Sequence, residues 1–370
     1  MTLTNRDLKL ILGLIPEKKE AKEKKVANVA EENTTFASFF SIETGAVCNR
    51  SCSFCPVSHA PREEDEFMSI GMFDHIIDQL VMMNYKNRIA LYSYNEPLRD
   101  LRLHDLIRNV RSRLPRTCIM INSNGDYFKT PEDIASLYHA GLNQMQINIY
   151  SSADGSGKAE KIASGIANAQ KRYTKMKEMV DSLTWLDQEA SIYQHIGANK
   201  TACQVVPKWD FQPTVEHFND MPSQKHGISV RHHIANRAGN IPNFMPALTE
   251  PLKKMCIRPF RAMTINWRGD VILCCNDYHA SASTGNVMDR SLIELWNDPR
   301  YHAYRVKLQA KDRNIHLCDT CDYNGGFYQH NVPHVTFGDE RDDQIVAADL
   351  RSREAAGFSQ LVQLGQRKET

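Results

Sequence analysis

Ten cysteines, and the way they are grouped, carry the chemistry of this sequence. Cys48, Cys52 and Cys55 form a C-x3-C-x2-C run on one short segment. Three thiolates held that close converge on a small volume, and soft thiolates select zinc, Cu(I) or iron–sulfur clusters. Structural zinc sites want four ligands, usually as two C-x2-C pairs. Three cysteines with no fourth nearby fit a [4Fe–4S] cluster with one iron left open. A second set, Cys256, Cys274, Cys318 and Cys321, follows a C-x17-C…C-x2-C pattern. Four thiolates close a [4Fe–4S] or a zinc site equally well. Cys118 and Cys203 sit in apolar runs and read as small core residues. Cys275 adjoins Cys274.

Alternating strands and helices must position these groups. A strand over Phe36–Glu43 leads into the first cysteine run. Phe73, Ile76, Ile77 and Leu80 share one face of a helix over Met72–Met83. Ile89–Ser93, Cys118–Asn122 and Gln146–Tyr150 read as further strands. Leu103, Leu106, Ile107, Val110 and Leu114 mark a helix between the first two. Thr130-Pro131-Glu132-Asp133 opens another helix with an N-cap, a proline at N1 and an acid at N3, and Gly141 ends it. Residues 155–190 are polar and lean towards helix. Thr201–Val206 and Ile228–Ile234 are expected as a fifth and a sixth strand, with a helix near Thr214–Asn219 between them. Single helices between strands imply βαβ units and a parallel sheet. Right-handed crossovers curl such units into a partial (β/α)6 barrel. The first cysteine run then lies at the C-terminal end of a strand, where parallel folds bind ligands.

The expected organisation is a charged extension over 1–35, a core over 36–240, a linker over 241–255, a small cysteine-bearing domain over 256–330 and a polar tail over 331–370. A hairpin is expected from Met263–Trp267 and Val271–Cys274, turning at Arg268-Gly269-Asp270. The 370 residues carry a formal charge of +1, which gives no field to steer a polyanion, so no nucleic-acid partner is expected. No apolar run approaches the length of a membrane span. No export signal is apparent, and the thiols suit a reducing, cytoplasmic compartment.

The first run resembles the radical SAM superfamily, whose hallmark is C-x3-C-x-Φ-C with an aromatic at Φ; Phe54 stands there. The resemblance implies that Cys48, Cys52 and Cys55 each hold one iron of a [4Fe–4S] cluster. S-adenosylmethionine (SAM) chelates the fourth iron, and Phe54 packs on its adenine. One electron then yields a 5′-deoxyadenosyl radical that takes a substrate hydrogen atom. Tyr94-Asn95-Glu96-Pro97 stands where the family has Gly-Gly-Glu-Pro, so Glu96 and Asn95 are cofactor-binding candidates, Glu96 as acceptor for the methionine ammonium. Asn122-Ser123-Asn124-Gly125 resembles the family's Thr-Asn-Gly turn and offers Asn122 and Asn124. Ser151 and Arg237 occupy further family-like positions after the fourth and sixth strands. His232 and His233 follow a strand and read as satisfied or solvent-facing.

The second set, with Gly269 five before Cys274 and Ser291–Trp296 between its halves, is similar to the SPASM/twitch extensions, in the shorter twitch form. This similarity favours a second, auxiliary [4Fe–4S] cluster on Cys256, Cys274, Cys318 and Cys321, closed by four thiolates and suited to passing electrons. The activity implied is oxidation of a small polar metabolite, with a flavodoxin or ferredoxin-type protein as electron donor. Two alternatives stand beside it. One is radical maturation of a peptide, or epimerisation with Cys275 as the hydrogen-atom donor. The other is a zinc-binding interaction protein.

Overall fold

A computed structural model describes residues 36–52, 54–62, 66–151, 159–188, 200–207, 236–241, 247, 250–252 and 256–323. The expected strand at Ile228–Ile234, the helix near Thr214–Asn219, His232, His233, the 1–35 extension and the 331–370 tail lie outside the described residues.

The first half alternates as its sequence requires. β1 (Phe39–Ile42) leads through the first cysteine run into a short helix, α1 (Pro56–His59). α2 (Ile70–Met82) follows, then β2 (Arg88–Ala90), α3 (Leu103–Arg113), β3 (Cys118–Ser123), α4 (Pro131–His139) and β4 (Gln144–Ile149). A long helix, α5 (Ala159–Ser182), returns to β5 (Ala202–Pro207). Local chemistry sets several boundaries. Ser69 caps α2 by accepting from the Met72 amide at 3.1 Å. Thr130 and Asp133 close a full capping box on α4, with Pro131 in its first turn. β4 begins two residues earlier than the apolar pattern indicates, because its inward side chains are amides.

These strands lie in one sheet ordered β5-β4-β3-β2-β1-β6-β7-β8. β1 to β5 pair in parallel with sequential neighbours, as a wound barrel requires. The C-terminal unit supplies α6 (Arg258–Arg261), β6 (Ala262–Ile265), β7 (Asp270–Ile272), β8 (Gly285–Asn286), α7 (Leu292–Trp296) and α8 (Pro299–Gln309). Its hairpin is not a separate sheet. β6 pairs in parallel with β1, Phe40 opposite Met263, and extends the core sheet. Gly269, at φ +87°, makes the hairpin turn, and its amide donates to Asn266 O at 2.9 Å.

One face of the sheet is oil and the other is not. Phe40, Ile42, Ile89, Ile119, Ile121, Ile147 and Ile149 point to the helices and join Phe73, Ile76, Ile77, Leu106, Ile107 and Leu137 in the main core. Burying each such side chain contributes roughly 1.5–3 kcal/mol. Cys118 and Cys203 are buried at 1% exposure, as small core residues are. The opposite face carries Ser41, Gln144, Gln146, Asn148 and Thr264, all buried and all polar. The C-terminal helices fasten to the same framework. Gln79 of α2 accepts from the Leu292 amide at 2.7 Å, and Tyr301 of α8 donates to both Ala262 O and Leu273 O.

The turn after β3 is the tightest backbone feature near the first cysteine run. Gly125 sits at φ +76°, and a β-carbon there would lie 2.7 Å from Ile147 Cγ2 and 3.1 Å from Met176 Cε. Gly125→Ala is expected to lose at least about 1–2 kcal/mol from the left-handed backbone alone. Gly71, in the first turn of α2, has open space around it; Gly71→Ala is expected to be neutral or stabilising by under about 1 kcal/mol. Urea unfolding midpoints of the reconstituted protein check both. Equal midpoints for Gly125→Ala and wild type would contradict this account of the turn.

Candidate active site

The loop after β1 carries the first three thiols at the C-terminal end of the parallel strands. Its backbone is ordered by short bonds: the Cys55 amide donates to Cys52 O at 2.9 Å, and Ser58 Oγ donates to the same carbonyl at 2.8 Å. Pro56, in the first turn of α1, stops the loop directly after Cys55. Burial pushes the Cys48 thiol up to about 11, and the neighbouring Cys55 adds to it. Burial and the neighbouring thiols push Cys52 up to about 12, and burial raises Cys55 as well. These thiols are near enough to oppose one another's ionisation. Such a donor set becomes favourable as thiolates when a soft cationic centre neutralises it, which an iron–sulfur cluster would do.

A charged network holds this loop to its neighbours. Arg50, inside the cysteine run, grips Asp126 through both carboxylate oxygens at 2.6 and 2.7 Å. Asn49 donates to the same carboxylate at 2.9 Å, and Arg172 of α5 adds a bond at 2.6 Å. Arg172 also donates to Asn124 O and Tyr150 O, tying the ends of β3 and β4 to the loop. Burial opposes ionisation of Asp126, but Arg50 and Arg172 outweigh it and hold the carboxyl below its ordinary range.

The expected cofactor-binding residues form a partial ring above the sheet. Phe54 packs on Tyr150 with ring centroids 5.1 Å apart. Asn124 donates to Cys48 Sγ at 3.8 Å and to Asn49 Oδ1 at 2.7 Å. Glu96 accepts from Ser123 Oγ and the Asn124 amide, both at 2.8 Å, and from the Leu98 amide at 3.3 Å. Burial is the larger effect, and it pushes the Glu96 carboxyl up to about 7 despite these donors. Glu96 thus clamps the end of β2 to the end of β3, while its carboxylate keeps lone pairs for another donor. Asn95 does structural work: it accepts from the Ser93 amide and donates to Thr44 Oγ1. Ser151 is buried just beyond Tyr150. Asn122, two residues before Asn124 on the same inward face of β3, sits one step deeper into the sheet.

The second set lies beyond the hairpin. β7 runs antiparallel to β6, so Cys274 follows a strand aimed at the opposite end of the sheet. Its sulfurs already receive N–H donors. The Asn276 amide donates to Cys274 Sγ at 3.4 Å; Asn276 Nδ2 and the Tyr323 amide donate to Cys321 Sγ at 3.5 and 3.4 Å. Burial raises Cys256, Cys274 and Cys318, the last to about 12, with neighbouring thiols adding to each. Four half-buried thiols, of which Cys274 and Cys321 accept N–H···S bonds, suit a cluster whose potential such bonds would tune. Cys275 alternates with Cys274 along the chain and lies within charge reach of Tyr94 and Arg237.

Arg237 (φ +53°) belongs to a turn that is anchored rather than free. Asn236 donates its amide N–H to Asp322 Oδ2 at 2.8 Å and its Nδ2 to Thr320 O at 2.9 Å, and Asn240 Nδ2 donates to Asn276 O at 2.8 Å. Tyr94, Cys275 and Cys55 favour the charged form of the Arg237 guanidinium, against the cost of its burial.

Sequence reasoning missed the residues that join the two sets. Arg62 pairs with Glu43 at 2.7 Å, and its side chain is 6% exposed. Its guanidinium lies between Trp267 and Tyr278, 4.1 and 4.2 Å from the ring centroids. Glu43 also accepts from the Tyr94 amide at 2.8 Å, and Tyr94 Oη donates to Cys275 O. Tyr278 Oη donates to Ala60 O at 2.7 Å. Only Glu43, as a carboxylate ending an apolar strand, gave a signal that sequence alone could have used.

Comparisons with known proteins agree with this geometry. Residues 42–184 match the radical SAM superfamily, and residues 256–322 match an iron–sulfur cluster-binding domain, SPASM. The chain is 21% identical over 286 residues to the S-adenosyl-L-methionine-dependent 2-deoxy-scyllo-inosamine dehydrogenase of Niallia circulans, covering 77% of this chain and 92% of that protein. The crystal structure of BtrN in complex with AdoMet and 2-DOIA superposes with a TM-score of 0.52 at 19% identity, over 78% of this chain and 93% of that one. SuiB of Streptococcus suis bound to S-adenosylmethionine gives a TM-score of 0.40 at 14% identity, over 77% of this chain and 72% of that one. No helix among the described residues is long and apolar enough to cross a membrane. Two family matches in the expected order, on a sheet with a three-cysteine loop at its C-terminal end, lead to one conclusion: residues 42–184 form a radical SAM domain, and residues 256–322 form a SPASM-type iron–sulfur cluster-binding domain.

Proposed function

We propose that this radical SAM oxidoreductase dehydrogenates a small polar metabolite, converting a carbinol to a ketone. The observation that carries the reading is Tyr94. Its amide is bonded to Glu43 beside the first thiol loop, and its phenol donates to the carbonyl of Cys275, next to Cys274 of the second set. Tyr94 therefore links the regions of the two sets, which supports a substrate site between them. The similarity to a dehydrogenase of an aminocyclitol over 92% of that protein's length supports the same substrate class.

Cys48, Cys52 and Cys55 would hold the SAM-binding [4Fe–4S] cluster, and Cys256, Cys274, Cys318 and Cys321 the auxiliary one. When bound, these groups and SAM supply one-electron chemistry: reductive cleavage to a 5′-deoxyadenosyl radical, and acceptance of the electron left on the substrate. The chain's own residues supply position and exclusion of water. Phe54 and Tyr150 offer an aromatic face for adenine. Glu96 offers a carboxylate to the methionine ammonium, and Asn124 orders the turn beside Cys48. Arg237 and Arg62 place two positive charges in the interior between the sets. A flavodoxin or ferredoxin-type protein is the proposed source of the first electron.

Cys275 supports a second reading, epimerisation, because its thiol lies within reach of the same interior as Tyr94 and Arg237. Hydrogen-atom return from that thiol would leave the substrate at its original oxidation state, with the thiyl re-reduced by the external electron donor.

Two outcomes are expected. In deuterated buffer, with 2-deoxy-scyllo-inosamine as probe, the reconstituted enzyme forms one ketone per 5′-deoxyadenosine, and mass spectrometry finds no deuterium at the reacting carbon. Deuterium at that carbon in an otherwise unchanged substrate, lost in Cys275→Ala, would replace dehydrogenation by epimerisation. Glu96→Gln keeps the shape of the clamp and removes its charge, so SAM affinity falls about 10- to 100-fold while the fold persists. Glu96→Ala also unclamps Ser123 and Asn124 and lowers stability by about 1–3 kcal/mol. Equilibrium dialysis and urea unfolding separate the two effects; unchanged SAM affinity in Glu96→Gln would remove Glu96 from the cofactor site.

A further inference from the structure

β4 is buried along its whole length, yet its sequence is not that of a doubly buried strand. Strands covered on both faces read as near-continuous apolar runs. β4 instead alternates Gln144, Gln146 and Asn148 with Met145, Ile147 and Ile149, and all six are buried. The apolar three join the helix-packed core. The amides lie on the other face of the sheet, the face that Asn122 of β3 shares. Buried amides in such numbers need partners, because each unmet acceptor costs about 1–3 kcal/mol.

Among the described residues, some of these needs are unmet on β4 and on the neighbouring β3. Gln146 is 4% exposed, and its Nε2 donates to Asn148 Oδ1 at 2.6 Å. Gln146 Oε1 is buried and has no hydrogen-bond partner among the described residues. Asn122 Oδ1 is in the same condition. The sheet register sets Asn122 directly opposite Gln146 on adjacent parallel strands. Strand alternation puts both on the inward face, below Asn124 and Tyr150, which touch the first thiol loop through Cys48 and Phe54. Two neutral acceptors thus stand side by side, about one strand spacing of 4.8 Å apart, under the cofactor ring.

We propose that Gln146 and Asn122 form a substrate subsite that selects a compact molecule rich in hydrogen-bond donors, a polyol or amino-polyol, by accepting from its hydroxyl or ammonium groups. The inference rests on the dehydrogenase reading above and deepens it: it names which side chains decide the substrate. With Gln146 Nε2 already engaged by Asn148, its free acceptor disfavours a substrate whose facing edge is apolar or acidic. Gln146 belongs to the middle of a rigid strand, so its amide is positioned by the sheet rather than by a loop.

The test uses the reconstituted full chain with 2-deoxy-scyllo-inosamine and myo-inositol as probes, reading ketone formation, SAM affinity and iron content. Gln146→Leu fills the space and removes the acceptor; it is expected to raise KM for the better probe roughly 10- to 100-fold, with SAM affinity and iron unchanged. Gln146→Glu keeps an acceptor of the same shape and adds charge, so it shifts preference towards the amine over the neutral polyol. That preference remains readable even where Gln146→Leu loses iron. Wild-type turnover with the same KM in Gln146→Leu, and no shift of preference in Gln146→Glu, would overturn the inference alone and leave the site holding only water. A wild-type chain that oxidises neither probe would overturn the inference together with the reading beneath it.

Discussion

Parallel pairing on both sides of β1 is the constraint on which the rest of the structure depends. β2 lies on one flank and β6 on the other, with Phe39, Phe40 and Ser41 in register with both. The first flank fixes the loop that carries Cys48, Cys52 and Cys55 among the ends of β2 to β4. The second brings in a hairpin from far along the chain, and with it the thiols that follow β7. A central parallel strand cannot slip by one residue without turning its core face outward. Phe40 and Ile42 are fully buried on that face, so the register of both flanks is held by the same side chains. The relation between the two thiol sets follows from one strand.

Charge completes what the sheet begins. The loop near the first set is held by Asp126 between Arg50 and Arg172, and the space between the sets by Glu43 and Arg62. The second pair is almost wholly buried, and removing one partner of such a pair typically costs about 3–5 kcal/mol. The aromatic rings of Trp267 and Tyr278 on either side of Arg62 exclude water and favour the cation. This pair belongs at once to the end of β1, the segment after α1, the end of β2 and the C-terminal unit. It gives the junction of core and cluster domain a rigidity that apolar packing alone does not specify.

Much of this was legible in the sequence. Phe73, Ile76, Ile77 and Leu80 announce α2 through their spacing, and Thr130-Pro131-Glu132-Asp133 announces α4 through capping chemistry, because both signals are local. The cysteine spacings were equally plain, since thiols within a few residues of one another have only a few fates. Pairing of β6 with β1 was not legible. It joins residues more than 200 positions apart, and neither strand carries a mark of its partner. Arg62 was hidden for the same reason: a basic residue in a charged stretch reads as solvated until Glu43, Trp267 and Tyr278 are seen around it. β4 misled in an informative way. Its amides blur the strand's start in any search for apolar runs, although Gln144, Gln146 and Asn148 are all buried.

The central claim is that one sheet holds two separate thiolate sites, each built for a [4Fe–4S] cluster. Iron and sulfide per chain after anaerobic reconstitution test it most directly, in wild type and in a chain with Cys256, Cys274, Cys318 and Cys321 all changed to Ala. The account predicts about eight irons in wild type and about four in the variant, which keeps the site on Cys48, Cys52 and Cys55. About four irons in both chains would contradict it, leaving the C-terminal thiols without a cluster and the oxidation without its electron acceptor.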